Sequence, residues 1–339
     1  MATLLSALCA NTRLDCDTMD LDFAKEFGPF ADCTSNQAIS YGEASKTGPD
    51  GKYAHEEFIK EAAEWAKKAV SGPQAAGDSM ETLAVEYLVV RLLLRFVEHL
   101  SGYVLLQINP KYGYDTEKTV ATAERIVAMT REIDPSFDVK RLCFKVVSTW
   151  PGLSACKILE GKGIATLGTA LFCMEQASLA GHMGCTYISP YYNELKVHFD
   201  KDFTDTNKAS TLCRDATAYY SAHHHKTEVK AASFVHPDEA MHHAGVDSIT
   251  LFPDIIRTLK ATPASSMTPA EIGKFMTPPT ISPIPGWKAY EEAAEGRDAW
   301  EAAFKASGGG ENARKLAEAI AAFTKAQDDL EELVRKVAA

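Results

Sequence analysis

Along most of this chain, short apolar or β-branched runs alternate with longer amphipathic segments. That rhythm pairs parallel strands through crossover helices and leaves few folds open. Candidate strands fall at 13–17, 31–36, 103–108, 141–147, 164–170, 185–189, 228–234 and 248–253. Helical periodicity covers 54–70, 80–100, 115–133, 153–161, 172–181, 207–223, 237–245 and 253–262, so a helix is expected between every pair of successive strands except the first two. Eight such strands predict an α/β fold, a (β/α)8 TIM barrel with additional N-terminal and C-terminal helices, and 339 residues accommodate it as a single domain over 1–339. Beyond the eighth strand, the proline-rich stretch MTPPTISPIP (276–285) leads into helical runs at 287–306 and 312–337. Residues 276–339 are therefore expected to form a helical appendage packing on the barrel. The Gly308–Gly310 triplet between those runs follows no strand and precedes no Lys-Ser/Thr, so it reads as a helix-to-helix linker and not as a phosphate loop.

The charge balance narrows the partner class. Lys plus Arg total 35 against 46 for Asp plus Glu, a net charge of −11, which argues against nucleic acid and for a small-molecule partner. The eight cysteines include no C-x-x-C pair, and several sit in apolar runs as reduced thiols do. The N-terminus shows no basic segment followed by an apolar one, so a cytoplasmic location is expected. The most apolar stretch, 83–100, is interrupted by Glu86, Arg91, Arg95 and Glu98 and reads as a core helix, with no membrane partner.

The fourth strand, RLCFKVV, places Lys145 in an apolar run with Cys143 and Val147 on its face. An amine so surrounded loses solvation of its charged form, so its pKa falls and it can attack a carbonyl to form a Schiff base. Snorkelling of a strand-end lysine to solvent is the alternative.

The segment 142–189 continues Lys145 with Ser-Thr-Trp-Pro-Gly, then Thr169, Phe172, Gln176 and Ala177, then Ile188, Ser189 and Pro190. Together with LDCDTMD (14–20), DCTSN (32–36), 114–116, 232–234 and 247–253, it resembles the transaldolase family across most of the chain. The resemblance implies a class I aldolase-type barrel in which Lys145 is the Schiff-base lysine and Asp17 handles the substrate hydroxyl proton. It implies that Asn36 bonds substrate hydroxyls, Thr169 positions a water, and Ser189 and Ser233 line the pocket. No metal and no cofactor is expected, and a homodimer is left open.

This chain departs from the family pattern at several places. Gln107 stands in place of a third-strand glutamate and Tyr191 in place of a phenylalanine, a pair similar to that of fructose 6-phosphate aldolase. The implied proton relay is then the Tyr191 hydroxyl with a water held by Thr169 and Gln107. Glu194 and Val235 occupy the places of two phosphate-binding arginines, and Leu167 that of an asparagine. Conventional sugar phosphates are thus expected to be poor substrates, with no guanidinium left to offset Glu194. Tyr192 and His236 are expected at the surface, and His223–His225 and His242–His243 on solvated faces.

The function expected is carbon–carbon bond making or breaking on a carbonyl compound without a conventional phosphate handle, in specialised metabolism. Transaldolase of the pentose phosphate pathway, an iminium-directed condensation of an amine with an aldehyde, and a non-catalytic metabolite-binding barrel are the alternatives.

Overall fold

Eight parallel strands close into a barrel in chain order: β1 (Arg13–Asp17), β2 (Cys33–Thr34), β3 (Val104–Gln107), β4 (Leu142–Val147), β5 (Ala165–Leu171), β6 (Tyr187–Pro190), β7 (Glu228–Ala231) and β8 (Ser248–Leu251), which pairs back onto β1. This computed structural model describes residues 2–277 and 286–338, without the side chain of Gln74, so most of the proline-rich stretch lies outside the described residues.

The helices are α1 (Leu4–Cys9), α2 (Leu21–Phe27), α3 (Gln37–Ala44), α4 (Glu56–Ala69), α5 (Met80–Leu94), α6 (Thr116–Ile133), α7 (Trp150–Gly161), α8 (Met174–Met183), α9 (Leu212–Ala222), α10 (Pro237–His242), α11 (Pro253–Ala261), α12 (Trp287–Ala294), α13 (Arg297–Ala306) and α14 (Glu311–Ala338). Every expected strand is present. The first crossover differs from expectation, because α2 does join β1 to β2. It is only seven residues long, too short for periodicity to show, and is held at its start by Asp20, whose side chain accepts from the N–H groups of Asp22 and Phe23. The run 287–306 is two helices, parted at Gly296.

Two apolar compartments result. Leu105, Cys143, Leu167 and Tyr187 pack with one another inside the barrel, while the larger core lies between the strands and the surrounding helices. Nearly all of α5 is buried in that outer core, and the charge it carries inward, Glu86, meets Arg125 of α6 at 2.6 Å. Among the described residues, no helix is long and apolar enough to cross a membrane. The 28-residue α14 packs along α3, α4 and α5 and reaches β5. Its Arg314 and Lys315 pair with Glu194 and Asp205 on the segment after β6, so residues late in the chain face the barrel's C-terminal end. Gly308, Gly309 and Gly310 all have positive φ (58°, 66° and 94°), which lets α13 turn sharply into α14.

Candidate active site

At the C-terminal end of β4, Lys145 is only 4% exposed, and its register partners are Gln107 on β3 and Leu167 on β5. Burial lowers its proton affinity; Asp17, across the lumen on β1, is the main opposing influence. The Asp17 carboxyl is in turn pushed up by burial and held down by the charge of Lys145 and a 2.6 Å bond from the Thr34 hydroxyl. Thr34 also lies 2.6 Å from the Thr250 hydroxyl. Since one hydroxyl proton goes to Asp17, Thr250 must donate to Thr34, giving an ordered Thr250–Thr34–Asp17 chain. Thr34 and Thr250 escaped the sequence reading, although Thr34 lies within the DCTSN run that was singled out.

Gln107 is buried beside Lys145, and neither its Nε2 nor its Oε1 has a partner among the described residues. A buried amide without partners is costly, and native proteins keep such groups chiefly where a ligand or ordered water engages them.

The β5–β6 edge aims the next pair. The register slips between Gly168 and Leu171, and Ala170 adopts a φ of 53°, a strained conformation for a residue with a Cβ. Gln176, wholly buried, braces this kink by donating to the carbonyls of Ser148 and Ala170 and accepting from the N–H of Phe172. The outcome is a 3.1 Å contact between the Thr169 and Tyr191 hydroxyls. Burial pushes the Tyr191 phenol well above its ordinary value, so it stays protonated, and its ring packs edge-on against Phe172.

Around the rim, Asn36 caps α3 through its side-chain oxygen (2.9 Å from Ile39 N). Its amide nitrogen makes no hydrogen bond among the described residues. Ser189 is buried on β6. Ser233, at φ 65°, is 2.9 Å from Nε2 of His198, a residue the sequence analysis did not single out. Burial drives His198 down to about 4, so it is neutral at ordinary pH. Leu167 belongs to the apolar cluster inside the barrel, and Val235 is half-buried, its N–H held by Glu239. Glu194 requires a correction: a guanidinium does meet it, that of Arg314, 2.8 Å away and 120 residues later in the chain. Arg314 is also engaged by Glu311 and Glu318, and the nearby Lys208 and Lys315 pair with Glu239 and Asp205. These cations are thus already neutralised.

His223–His225 and His242–His243 were expected on solvated faces; His224 is exposed as expected, but the structure overturns this for His243 and in part for His223. His243 is fully buried, its Nδ1 2.8 Å from the Glu239 carbonyl, in an aromatic cluster with Tyr192, Phe234 and Phe275. Tyr192, expected at the surface, is a core residue for the same reason. His223 packs on Tyr219 and Trp287 and pairs with Glu291. Aromatic neighbours, most of them remote in sequence, cover these rings, which helical position alone does not reveal. Among the described residues, no group of three or more His, Cys, Asp or Glu side chains is arranged to hold a metal ion. Burial depresses His243 to about 4, below its unfolded value. Its protonation therefore favours the unfolded chain as pH falls from about 6.5 to 4, costing on the order of 3 kcal/mol. His243→Gln should flatten the loss of unfolding free energy across that window, measured by urea titration at several pH values; an unchanged slope would show that other groups set it.

The arrangement thus places an amine, a carboxylate with its hydroxyl chain, and a hydroxyl pair at the C-terminal ends of barrel strands, where barrel active sites assemble. Comparison with known proteins shows the family to which the chain belongs. The transaldolase of Shewanella amazonensis is 29% identical, with 99% of each chain covered. That of Synechocystis sp. is 28% identical over 98% of this chain and 81% of its own. That of Glaesserella parasuis serovar 5 is 30% identical over 77% of this chain and 80% of its own. The family model described as Transaldolase/Fructose-6-phosphate aldolase matches residues 14–334, and the chain belongs to that family.

Proposed function

We propose that this protein is an aldol-type enzyme working through a Schiff base on Lys145, with a carbonyl substrate other than a conventional sugar phosphate. The observation that carries the first part is the buried Lys145 amine, its proton affinity lowered, opposite the Asp17 carboxylate. The amine attacks the substrate carbonyl, and water leaves to give the imine. Asp17 then takes the β-hydroxyl proton as the carbon–carbon bond breaks, releasing an aldehyde and leaving an enamine. The enamine carbon regains a proton through the Tyr191–Thr169 pair and a water that Gln107 orients, and hydrolysis frees Lys145. Asn36, Ser189 and Ser233 bind the substrate's polar groups, while Leu167 supplies an apolar wall. The reaction needs no cofactor, the partner is a small-molecule carbonyl compound, and the setting is the cytoplasm. Sodium borohydride reduction with candidate carbonyls tests the reading, since a stable mass increment on Lys145 supports it and its absence overturns it.

The second part rests on Arg314, Lys208 and Lys315, all already paired with carboxylates. Losing two charge-assisted phosphate bonds, roughly 1.5–3 kcal/mol each, weakens phosphate recognition by on the order of 10² to 10⁴. Fructose 6-phosphate is accordingly expected to have no advantage over fructose in kcat/KM. Because Arg314 pairs with Glu194, recovering phosphate preference requires Glu194→Arg and Val235→Arg together with Arg314→Glu. A wild-type preference for the phosphorylated sugar would sink this part of the reading.

A further inference from the structure

Across the lumen from Lys145 on β4, three side chains from separate segments meet over the C-terminal ends of β6, β7 and β8. His198 comes from the segment after β6, Ser233 lies just beyond β7, and Phe252 directly follows β8. Nε2 of the half-buried His198 is 2.9 Å from the Ser233 hydroxyl, and its ring stands edge-on to Phe252 with centres 5.2 Å apart. Ser233 is 8% exposed, and its φ of 65° is a strained conformation for a residue with a Cβ. Strain of this kind persists only where the surroundings hold it, and it gathers at ligand sites. Asn193 supplies the hold, donating to the Ser233 carbonyl from its N–H at 3.2 Å and from its side-chain amide at 2.9 Å. Phe252 also lines a cleft of about 410 Å³ with Thr18, Met19 and Ile39. Thr18 adjoins Asp17, and the Ile39 N–H is the one that Asn36 caps, so this cleft borders two residues of the candidate site.

We propose that His198 is a positioning residue that aims the Ser233 hydroxyl at the distal end of a substrate held on Lys145, and that the pair selects carbonyl compounds ending in a free hydroxyl, an inference that rests on the Schiff-base reading. Burial keeps His198 neutral, so its Nε2 either donates to Ser233 or accepts from it. In the first arrangement Ser233 keeps its own O–H for a substrate oxygen; in the second it keeps lone pairs for a substrate O–H. A hydroxyl satisfies both arrangements, and a methyl group satisfies neither. A phosphate can only accept, and here it would meet negative charge. Glu194 follows Asn193 directly and shares the one guanidinium of Arg314 with Glu311 and Glu318. A site built to hydrogen-bond a hydroxyl rejects the analogue that lacks it, because its own polar groups are then left unpaired.

The test is borohydride trapping on the full chain, read by intact mass and peptide mapping, with D-fructose, 6-deoxy-D-fructose and dihydroxyacetone as probes. With C2 of fructose on Lys145, its C6 hydroxyl is the distal group; 6-deoxyfructose lacks it, and dihydroxyacetone has no distal end. His198→Phe keeps a ring against Phe252 but cannot bond Ser233. It should raise the fructose concentration for half-maximal trapping about tenfold, with the maximal rate and the values for the other two probes unchanged. Comparing each probe between variants cancels differences in open-chain fraction. His198→Gln, which can still bond Ser233, should restore the wild-type value for fructose. If His198→Phe does not melt cooperatively, Ser233→Ala removes the same hydroxyl and should show the same selective loss. Equal shifts for fructose and 6-deoxyfructose, or none, in the folded variant overturn the proposal, as does trapping of dihydroxyacetone but not of fructose in the wild type. A larger loss for fructose 6-phosphate than for fructose overturns it in favour of an anion site. Absence of a Lys145 adduct with every probe in the wild type overturns the Schiff-base reading itself, and the proposal with it.

Discussion

Lys145→Ala should abolish borohydride-trappable adduct and lower turnover by on the order of 10⁴ or more, while the protein still folds. The amine is the nucleophile in the proposed reaction, and nothing else near it can replace it: Gln107 is an amide, Leu167 is apolar, and Lys230 is bound to Asp15, Asp32 and Ser248 beneath the site. The fold should survive because Lys145 makes no hydrogen bond or ion pair through its side chain among the described residues, and truncating it removes a buried charge-bearing group rather than a partner of another one. Turnover assays beside a thermal melt decide the matter. Full activity in a well-folded variant would refute covalent catalysis by this lysine.

Asp17→Asn should separate the two halves of the reaction. Cleavage should fall by on the order of 10² to 10⁴, because an amide cannot take the β-hydroxyl proton, while imine trapping persists. The amide can still accept from Thr34, so the Thr250–Thr34 chain keeps its anchor. Loss of the carboxylate also removes the main influence favouring a charged Lys145, so trapping should remain efficient to lower pH than in the wild type. The measurement is the ratio of single-turnover cleavage to adduct formation across pH. Equal losses in both would show that Asp17 serves imine formation, contrary to its proposed role.

Much of this molecule could be read from its residues in order. Strand positions followed from the apolar and β-branched runs, because a strand buried on both faces of a barrel has to be apolar almost throughout: LCFKVV of β4 is buried at every position. That made Lys145 conspicuous as the one charged side chain within LCFKVV. Asp17, Thr169 and Tyr191 were picked out by the family resemblance, and strand order sets them at the same end of the barrel as Lys145, since parallel strands bring their C-terminal ends to one side. The seven-residue α2 stayed hidden because fewer than two turns give too little periodicity to register, and its signal is a single capping aspartate.

What the sequence alone determined, then, was the barrel, the end of it that carries chemistry, and the amine set among apolar neighbours, because each is written in local periodicity or in one run of residues. Only the tertiary structure decided how polar groups are partnered. Arg314 meets Glu194 across 120 residues, His198 meets Ser233, Thr250 orders Thr34, and Lys230 joins Asp15 and Asp32 beneath the site. Charge and hydrogen-bonding capacity belong to each residue, but whether they are satisfied, and hence what remains free to act on a substrate, depends on distances that exist only once the barrel closes.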